Sequence, residues 1–118
     1  MIDSILTSIK KMIGITEINV DFDPDIIMHI NTVFLSLKQL GIGPVEGFTI
    51  IDDSAKWEDF IPTEEDPESK ALLSSVKSYI HLKVKLAFDP PLNSAITEAI
   101  NKQIAELEWR MNIEAESK

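Results

Sequence analysis

The chain contains no cysteine and only two histidines, His29 and His81, among its 118 residues. Without cysteine it can form neither a disulfide nor a cysteine-based zinc site. The two histidines lie on different predicted helices, and neither is followed by a carboxylate three or four residues later. We therefore expect both to be structural or solvated residues, and we predict no metal site.

Glycine is also scarce, and three of the four glycines fall within residues 41–47, GIGPVEG. This segment does not match a phosphate-binding loop, because no Lys-Ser/Thr pair follows it and the nearby charge is negative. The serines lack the setting of a nucleophile elbow, and the paired acids lack the spacing of an EF-hand. The sequence therefore predicts no catalytic residue and no cofactor, and it argues against an enzyme.

Long hydrophobic runs are absent as well, so no segment approaches the length that spans a bilayer. Asp3 precedes Lys10 and Lys11, which reverses the charge order of a signal peptide. The apolar share of 44% is ordinary for a globular protein. We expect a single domain over residues 1–118, made in a reducing cytoplasm and without contact with a membrane.

Acidic residues outnumber basic ones by 20 to 11, which gives a net charge of −9. Such a surface repels nucleic-acid phosphates. Residues 46–68 hold nine acids and one base, whereas residues 70–88 hold four lysines and no acid. Two interpretations stay open: a solvated acidic loop beside a basic helix, or an acidic segment and a basic helix that meet, within one subunit or between neighbours.

Apolar periodicity predicts a mostly α fold, a four-helix domain with an irregular middle segment over residues 46–69. The predicted helices span about 3–13, 24–40, 67–88 and 94–113. Gly14 and Gly41 are the predicted stops of the first two helices. The predicted N-caps are Asp23 for the second helix and Asp66 for the third. In the middle, residues 48–51 could form a short strand or hairpin. Residues 52–61 could form a helical turn, capped by Asp53 or Ser54 and anchored by Trp57 and Phe60.

Two of the predicted helices, the third and the fourth, carry more apolar surface than one small core needs. The third helix is apolar over about two thirds of its circumference, and Lys83 lies near the centre of that arc. Its ammonium either reaches water past the apolar surface or pairs with an acid of a neighbouring subunit. The fourth helix has a core stripe at Ile96, Ile100, Ile104, Leu107 and Met111.

Further apolar residues point away from these core stripes. Trp109 and Ile113 lie opposite the stripe of the fourth helix, and Met28 and Leu35 lie off the core face of the second. Packing within the monomer is the simple alternative for each. Several such patches in a small chain favour self-association. The candidate interface residues are therefore Trp109, Ile113, Met28, Leu35 and Lys83.

The two long C-terminal helices meet at Asp89-Pro90-Pro91. Proline cannot continue a helix and restricts the residue before it, so two prolines in succession should set the angle between the helices. We predict a structural junction here.

The helix core at residues 79–85 (YIHLKVK), the junction at 88–91 (FDPP) and residues 107–110 (LEWR) together resemble head–tail connector (adaptor) proteins of tailed bacteriophages. The opening MIDSILTSIKKMIGI is similar to the start of such proteins from phages of Gram-positive hosts. The resemblance covers most of the chain and is weakest over residues 46–69.

This resemblance implies a structural protein of the virion neck, made in the host cytoplasm. Such connectors form rings of about twelve subunits between the portal protein and the stopper or tail-completion protein. They extend the channel through which DNA passes without specific binding. Two alternatives from other classes remain: a small acidic helical regulator that binds a basic partner or mimics DNA, and an accessory subunit of an enzyme.

Overall fold

The structure, a computed structural model, describes residues 4–61 and 67–116, and for residues 114 and 116 the backbone alone. Within these ranges the chain forms five helices and no strand. They are α1 (Ile5–Met12), α2 (Asp23–Gln39), α3 (Trp57–Phe60), α4 (Pro67–Phe88) and α5 (Ser94–Glu116). The predicted mostly α class is confirmed, and α3 is the helical turn expected in the middle segment.

Helix α4 forms the centre of the fold and packs against both α2 and α5. Phe22, just before α2, stacks edge-on against Phe88 at the end of α4, with ring centres 5.3 Å apart. Farther along, Ser36 of α2 reaches Tyr79 of α4. Residue numbers rise along one helix as they fall along the other, so the two helices are antiparallel. The broad apolar arc of α4 is thereby covered from more than one side.

Helix α1 and the middle segment cover α2 and α4. The backbone of Ile5 donates to the carbonyl of Ala55 at 2.9 Å, and the indole of Trp57 donates to Ser8 Oγ at 3.1 Å. The rings of Phe34, Phe48 and Phe60 form one aromatic cluster. Trp57 and Phe60 are buried, which confirms them as the anchors of the helical turn.

The strand predicted at residues 48–51 is wrong. The Asn31 side chain on α2 accepts from the Ile50 amide at 2.8 Å and donates to the Ile50 carbonyl at 3.0 Å. A side chain therefore satisfies the backbone groups that a partner strand would otherwise bind.

Several predicted helix ends also differ. The N-cap of α1 is Ser4, whose side chain accepts from the Thr7 amide, so the helix begins two residues later than expected. The N-cap of α2 is Phe22 rather than Asp23, and that of α3 is Lys56 rather than Asp53 or Ser54. Asp66 lies outside the described residues. Gly14 and Gly41 end their helices with positive φ angles, as predicted.

The core stripe of α5 is confirmed except at its start. Ile100, Ile104 and Met111 are buried, but Ile96 is half exposed. The first turn of α5 is therefore less covered by the rest of the fold than the later turns of the stripe are.

Candidate subunit interface

Trp109 and Ile113 form an exposed apolar patch at the C-terminal end of α5, which we call the α5 patch. Their exposed fractions are 65% and 45%, although Met111 between them is buried. Residues four apart share one face of a helix, so the two side chains are neighbours. They line a groove of about 350 Å³ whose other side is formed by Ala71 and Leu72 of α4.

A second apolar stripe runs along the outer face of α2. Met28 and Leu35 are each more than half exposed, and they lie two turns apart on the same side. Leu35 lines a groove of about 270 Å³ together with Lys38 and Phe48. This groove is separate from the one beside Trp109. The candidate residues therefore form two surfaces rather than one.

The Lys83 side chain contacts a residue of its own helix, α4. Its ammonium lies 5.4 Å from the centre of the Tyr79 ring, one turn earlier. At this distance the cation is attracted to the face of the ring while the stem covers apolar surface. The geometry fits the solvated alternative, and an ion pair with a neighbouring subunit stays a prediction.

A contact inside the subunit joins the acidic middle segment to the basic helix. The Lys77 ammonium on α4 lies 5.4 Å from the centre of the buried Trp57 ring. The two oppositely charged segments therefore do meet within one subunit, and at this point the lysine faces an aromatic ring. A contact between neighbouring subunits stays a prediction.

Two buried polar contacts were not found by sequence reasoning. In the first, the Tyr79 hydroxyl donates to Glu108 Oε2 at 2.7 Å and joins α4 to α5. Burial, and next the Glu108 carboxylate, raise the pKa of Tyr79 above its ordinary value, while a hydrogen bond from Ser36 acts in the opposite direction. A buried tyrosine usually finds a partner for its hydroxyl, but Glu108 lies 29 positions further along the chain, so a local pattern could not identify it as the partner.

The second is an ion pair at the entrance to α2. Lys10 is buried, and its ammonium lies 2.9 Å from Asp23 Oδ1. The approach is close enough for an ion pair, although its angle falls outside that of a hydrogen bond. The same ammonium donates to the Glu17 carbonyl at 3.0 Å, which fastens the connection between α1 and α2.

The histidines do not combine into a metal site. His81 is partly buried on α4; burial, and next the neighbouring Lys85, lower its pKa, while a hydrogen bond to the Met12 backbone raises it. Within residues 4–61 and 67–116 no three His, Cys, Asp or Glu side chains are arranged to hold a metal ion. The same ranges contain no helix with the length and apolarity needed to cross a bilayer.

The proline junction is reinforced on both sides. Helix α4 ends at Phe88, and the Asp89 amide donates to the Lys85 carbonyl at 2.8 Å. After Pro90 and Pro91, Asn93 Oδ1 accepts from the Ala95 amide at 2.8 Å and caps α5. The Asn93 cap holds the start of α5, and the Phe22–Phe88 stack holds the end of α4 against the start of α2. That the two prolines set the angle between α4 and α5 stays a prediction.

Comparison with known protein families identifies a match over nearly the whole chain. A family model described as "Phage connector protein" covers residues 5–118. No curated protein and no solved structure matches the chain.

Proposed function

The chain belongs to the phage connector protein family, and we propose that it forms a ring beneath the portal that extends the DNA channel towards the tail. Membership of the family makes it a structural connector of the phage particle, placed at the neck with portal and tail components. The observation that carries the finer proposal is the extent of the match, residues 5–118. It includes both long helices, their proline junction and every exposed patch described above.

The exposed surfaces support a ring. A head-to-tail contact needs two different patches on each subunit, and it closes when its rotation divides a full turn. The α5 patch and the apolar stripe of Met28 and Leu35 lie on different helices, so each subunit exposes more than one apolar surface for contacts with neighbouring subunits, the portal or the tail. Large exposed apolar residues on a small chain often belong to an interface. We propose a closed ring of about twelve subunits, the number that the family resemblance implies.

The charge supports a channel through which DNA slides. With a net charge of −9, the subunit repels phosphates overall. A channel wall that gripped the backbone would slow passage, whereas an acidic wall leaves DNA free to move. We propose that DNA is a passing partner and that the portal protein and a stopper or tail-completion protein are the binding partners. The Gram-positive host stays a prediction.

Assembly with the portal tests this proposal. The purified chain is mixed with purified portal protein of the same phage, and the product is examined by light scattering and negative-stain microscopy. We expect annular particles with a central hole, stacked on the portal. A protein that stays monomeric and does not bind the portal at any protein or salt concentration would contradict the proposal. It would favour the alternative of a small acidic regulatory protein.

A further inference from the structure

A third groove, of about 700 Å³, opens between the α1–α2 connection, α2 and residues 50–53. Its apolar lining consists of Leu6, Val20, Pro24, Ile27, Ile50 and Ile51. Ile51 is 85% exposed and Val20 is also largely exposed, so this apolar surface is open to solvent. We call it the Ile51 groove.

The polar lining of the Ile51 groove is acidic, since it consists of Asp23, Asp52 and Asp53. Lys10 already neutralises Asp23. Hydrogen bonds from the Ser54 side chain and amide lower the pKa of Asp52, so this carboxylate remains charged. Asp53 is exposed beside it. The groove therefore fits an occupant that is apolar in the middle and basic at its edge.

The α5 patch combines apolar side chains with two nearby cations, Lys102 and Arg110, and with the exposed carboxylate of Glu106. Trp109 projects from the helix, Ile113 follows one turn later, and Lys102 lies exposed two turns before Trp109 on the same face. Arg110, next to Trp109, pairs with Glu106 of its own helix. Both partners of that pair are more than half exposed, so water screens the pair and the Arg110 guanidinium can approach further carboxylates while Glu106 stays beside it.

We propose that the α5 patch of one subunit packs into the Ile51 groove of the next, with Arg110 facing Asp52 and Asp53. This inference rests on the proposed function, because it names the contact that closes the ring. Each surface has a groove and an exposed apolar side chain beside it, Ile51 on one surface and Trp109 on the other. In this contact Trp109 enters the Ile51 groove of the neighbour, and the neighbour's Ile51 enters the groove beside Trp109. The two surfaces are different, as a head-to-tail contact requires.

The occupant is a second copy rather than another protein for two reasons. First, every copy carries both halves of the contact. Second, copies with a net charge of −9 repel one another, so a stable contact between them needs locally opposite charges. The Arg110 edge and the Asp52–Asp53 edge supply these charges.

Cysteine cross-linking tests the contact directly, because the natural chain has no cysteine to react. Ile51→Cys and Ile113→Cys proteins are prepared separately, mixed under conditions in which light scattering shows assembly, and treated with a short bis-maleimide. We expect cross-linked dimers in the mixture and none with either variant alone. Leu35→Cys mixed with Ile113→Cys is the matched control, and we expect it to stay uncross-linked.

Charge exchange gives a second readout. Asp53→Arg and Arg110→Asp should each weaken assembly by about tenfold or more, and the double variant should recover most of the loss. Assembly without the Ile51–Ile113 cross-link, or cross-linking only through Leu35, would overturn this contact. The proposed ring would still stand, with a different contact between its subunits. Cross-linking of Ile113→Cys to the portal alone would assign the α5 patch to that partner instead. Absence of any assembly, with or without portal, would overturn the proposed function itself.

Discussion

At the scale of single residues, the two tryptophans of the chain have opposite environments. Trp57 is 2% exposed and hydrogen-bonded, whereas Trp109 is 65% exposed. We predict that Trp109→Ala leaves the free energy of unfolding nearly unchanged but weakens assembly by about 2 kcal/mol or more, since exposed tryptophans are frequent hot spots. Denaturant unfolding and light scattering measure the two effects separately.

Trp57→Ala is the matched control for Trp109→Ala. Removing a buried indole should cost about 3–5 kcal/mol of monomer stability. It should affect assembly only through the folded fraction. If Trp109→Ala instead destabilised the monomer as much as Trp57→Ala does, the α5 patch would be part of the core.

Removing Asp23 from its ion pair with Lys10 should cost more stability than removing Lys10. Asp23→Leu leaves the ammonium of Lys10, whose side chain is 3% exposed, without its counter-charge. An unpaired buried charge is costly, so we expect a loss of about 3 kcal/mol in the free energy of unfolding. Lys10→Met keeps the packed stem and leaves Asp23, which reaches some water, so its cost should be smaller. Equal losses of unfolding free energy in the two variants, measured by urea unfolding, would contradict this order.

Tyr79 should make the protein sensitive to alkali. Its pKa is raised in the folded state, so above about pH 10 the unfolded chain loses the phenolic proton while the folded chain keeps it. Stability contributed by the raised pKa is present below the unfolded value and declines as pH rises. Unfolding free energies should therefore fall more steeply with pH in the natural chain than in Tyr79→Phe.

Phenolate absorbance provides a direct check, because Tyr79 is the only tyrosine. Glu108→Gln is the control: it keeps a hydrogen-bond acceptor but removes the negative charge, so the phenol should titrate at lower pH. If the free energy of unfolding fell equally steeply with alkaline pH in the natural chain and in Tyr79→Phe, the Tyr79 hydroxyl would contribute nothing to the pH dependence of stability.

Exposure of Trp109, Ile113, Met28 and Leu35 could be predicted from helical spacing alone. Their positions follow from the 3.6-residue period once the core stripe is known. The burial of Lys10 could not be predicted in this way. It depends on where the Glu17 carbonyl and the Asp23 carboxylate come to lie, and a helical wheel contains no information about a connecting segment.

At the scale of elements, the long helices were predictable because the spacing of their apolar residues and the residues that end them can both be read from the sequence. Gly14, Gly41 and the Pro90–Pro91 pair mark three ends. The strand at residues 48–51 was a wrong prediction for a long-range reason. Its polar backbone is satisfied by Asn31, 19 residues away and on a helix. Local propensity cannot anticipate such a partner.

The proline junction should matter more for assembly than for helix content. Replacing both Pro90 and Pro91 by alanine removes two restricted φ angles between α4 and α5. The Asn93 cap and the Phe22 ring still hold the helix ends, so circular dichroism should change little. We expect the angle to loosen and ring formation, measured by light scattering, to decline.

Asn93→Ala is a useful comparison for the proline variant, because it removes the cap of α5 and should cost about 1 kcal/mol of stability. It leaves both prolines in place. Normal assembly and function of the double alanine variant would show that the junction is only a spacer.

At the scale of the whole molecule, the broad apolar arc of α4 fits its central position, and the anchoring of the middle segment by Trp57 and Phe60 was predicted, but the burial of Ile42 and Ile50 was not. Residues 42–61 are acidic and irregular in sequence, yet Ile42, Ile50, Trp57 and Phe60 are all buried. A few apolar anchors thus fold this segment onto the helices and leave its carboxylates outside. The Ile51 groove exists only as a result of this packing, so no local pattern predicts it.

Salt should promote self-assembly of the isolated protein. Subunits that each carry a net charge of −9 repel one another across every neighbouring pair, and salt screens this repulsion. Salt also weakens the attraction between Arg110 and the two aspartates, but exposed pairs of this kind contribute only about 0–1 kcal/mol each. The apolar part of the contact does not depend on Coulomb attraction. We therefore expect monomers in dilute, low-salt solution and rings in concentrated, higher-salt solution, as measured by light scattering across both variables. Assembly that is strongest at low salt and dissolves as salt rises would show that opposite charges, rather than the tryptophan and isoleucine surfaces, hold the subunits together.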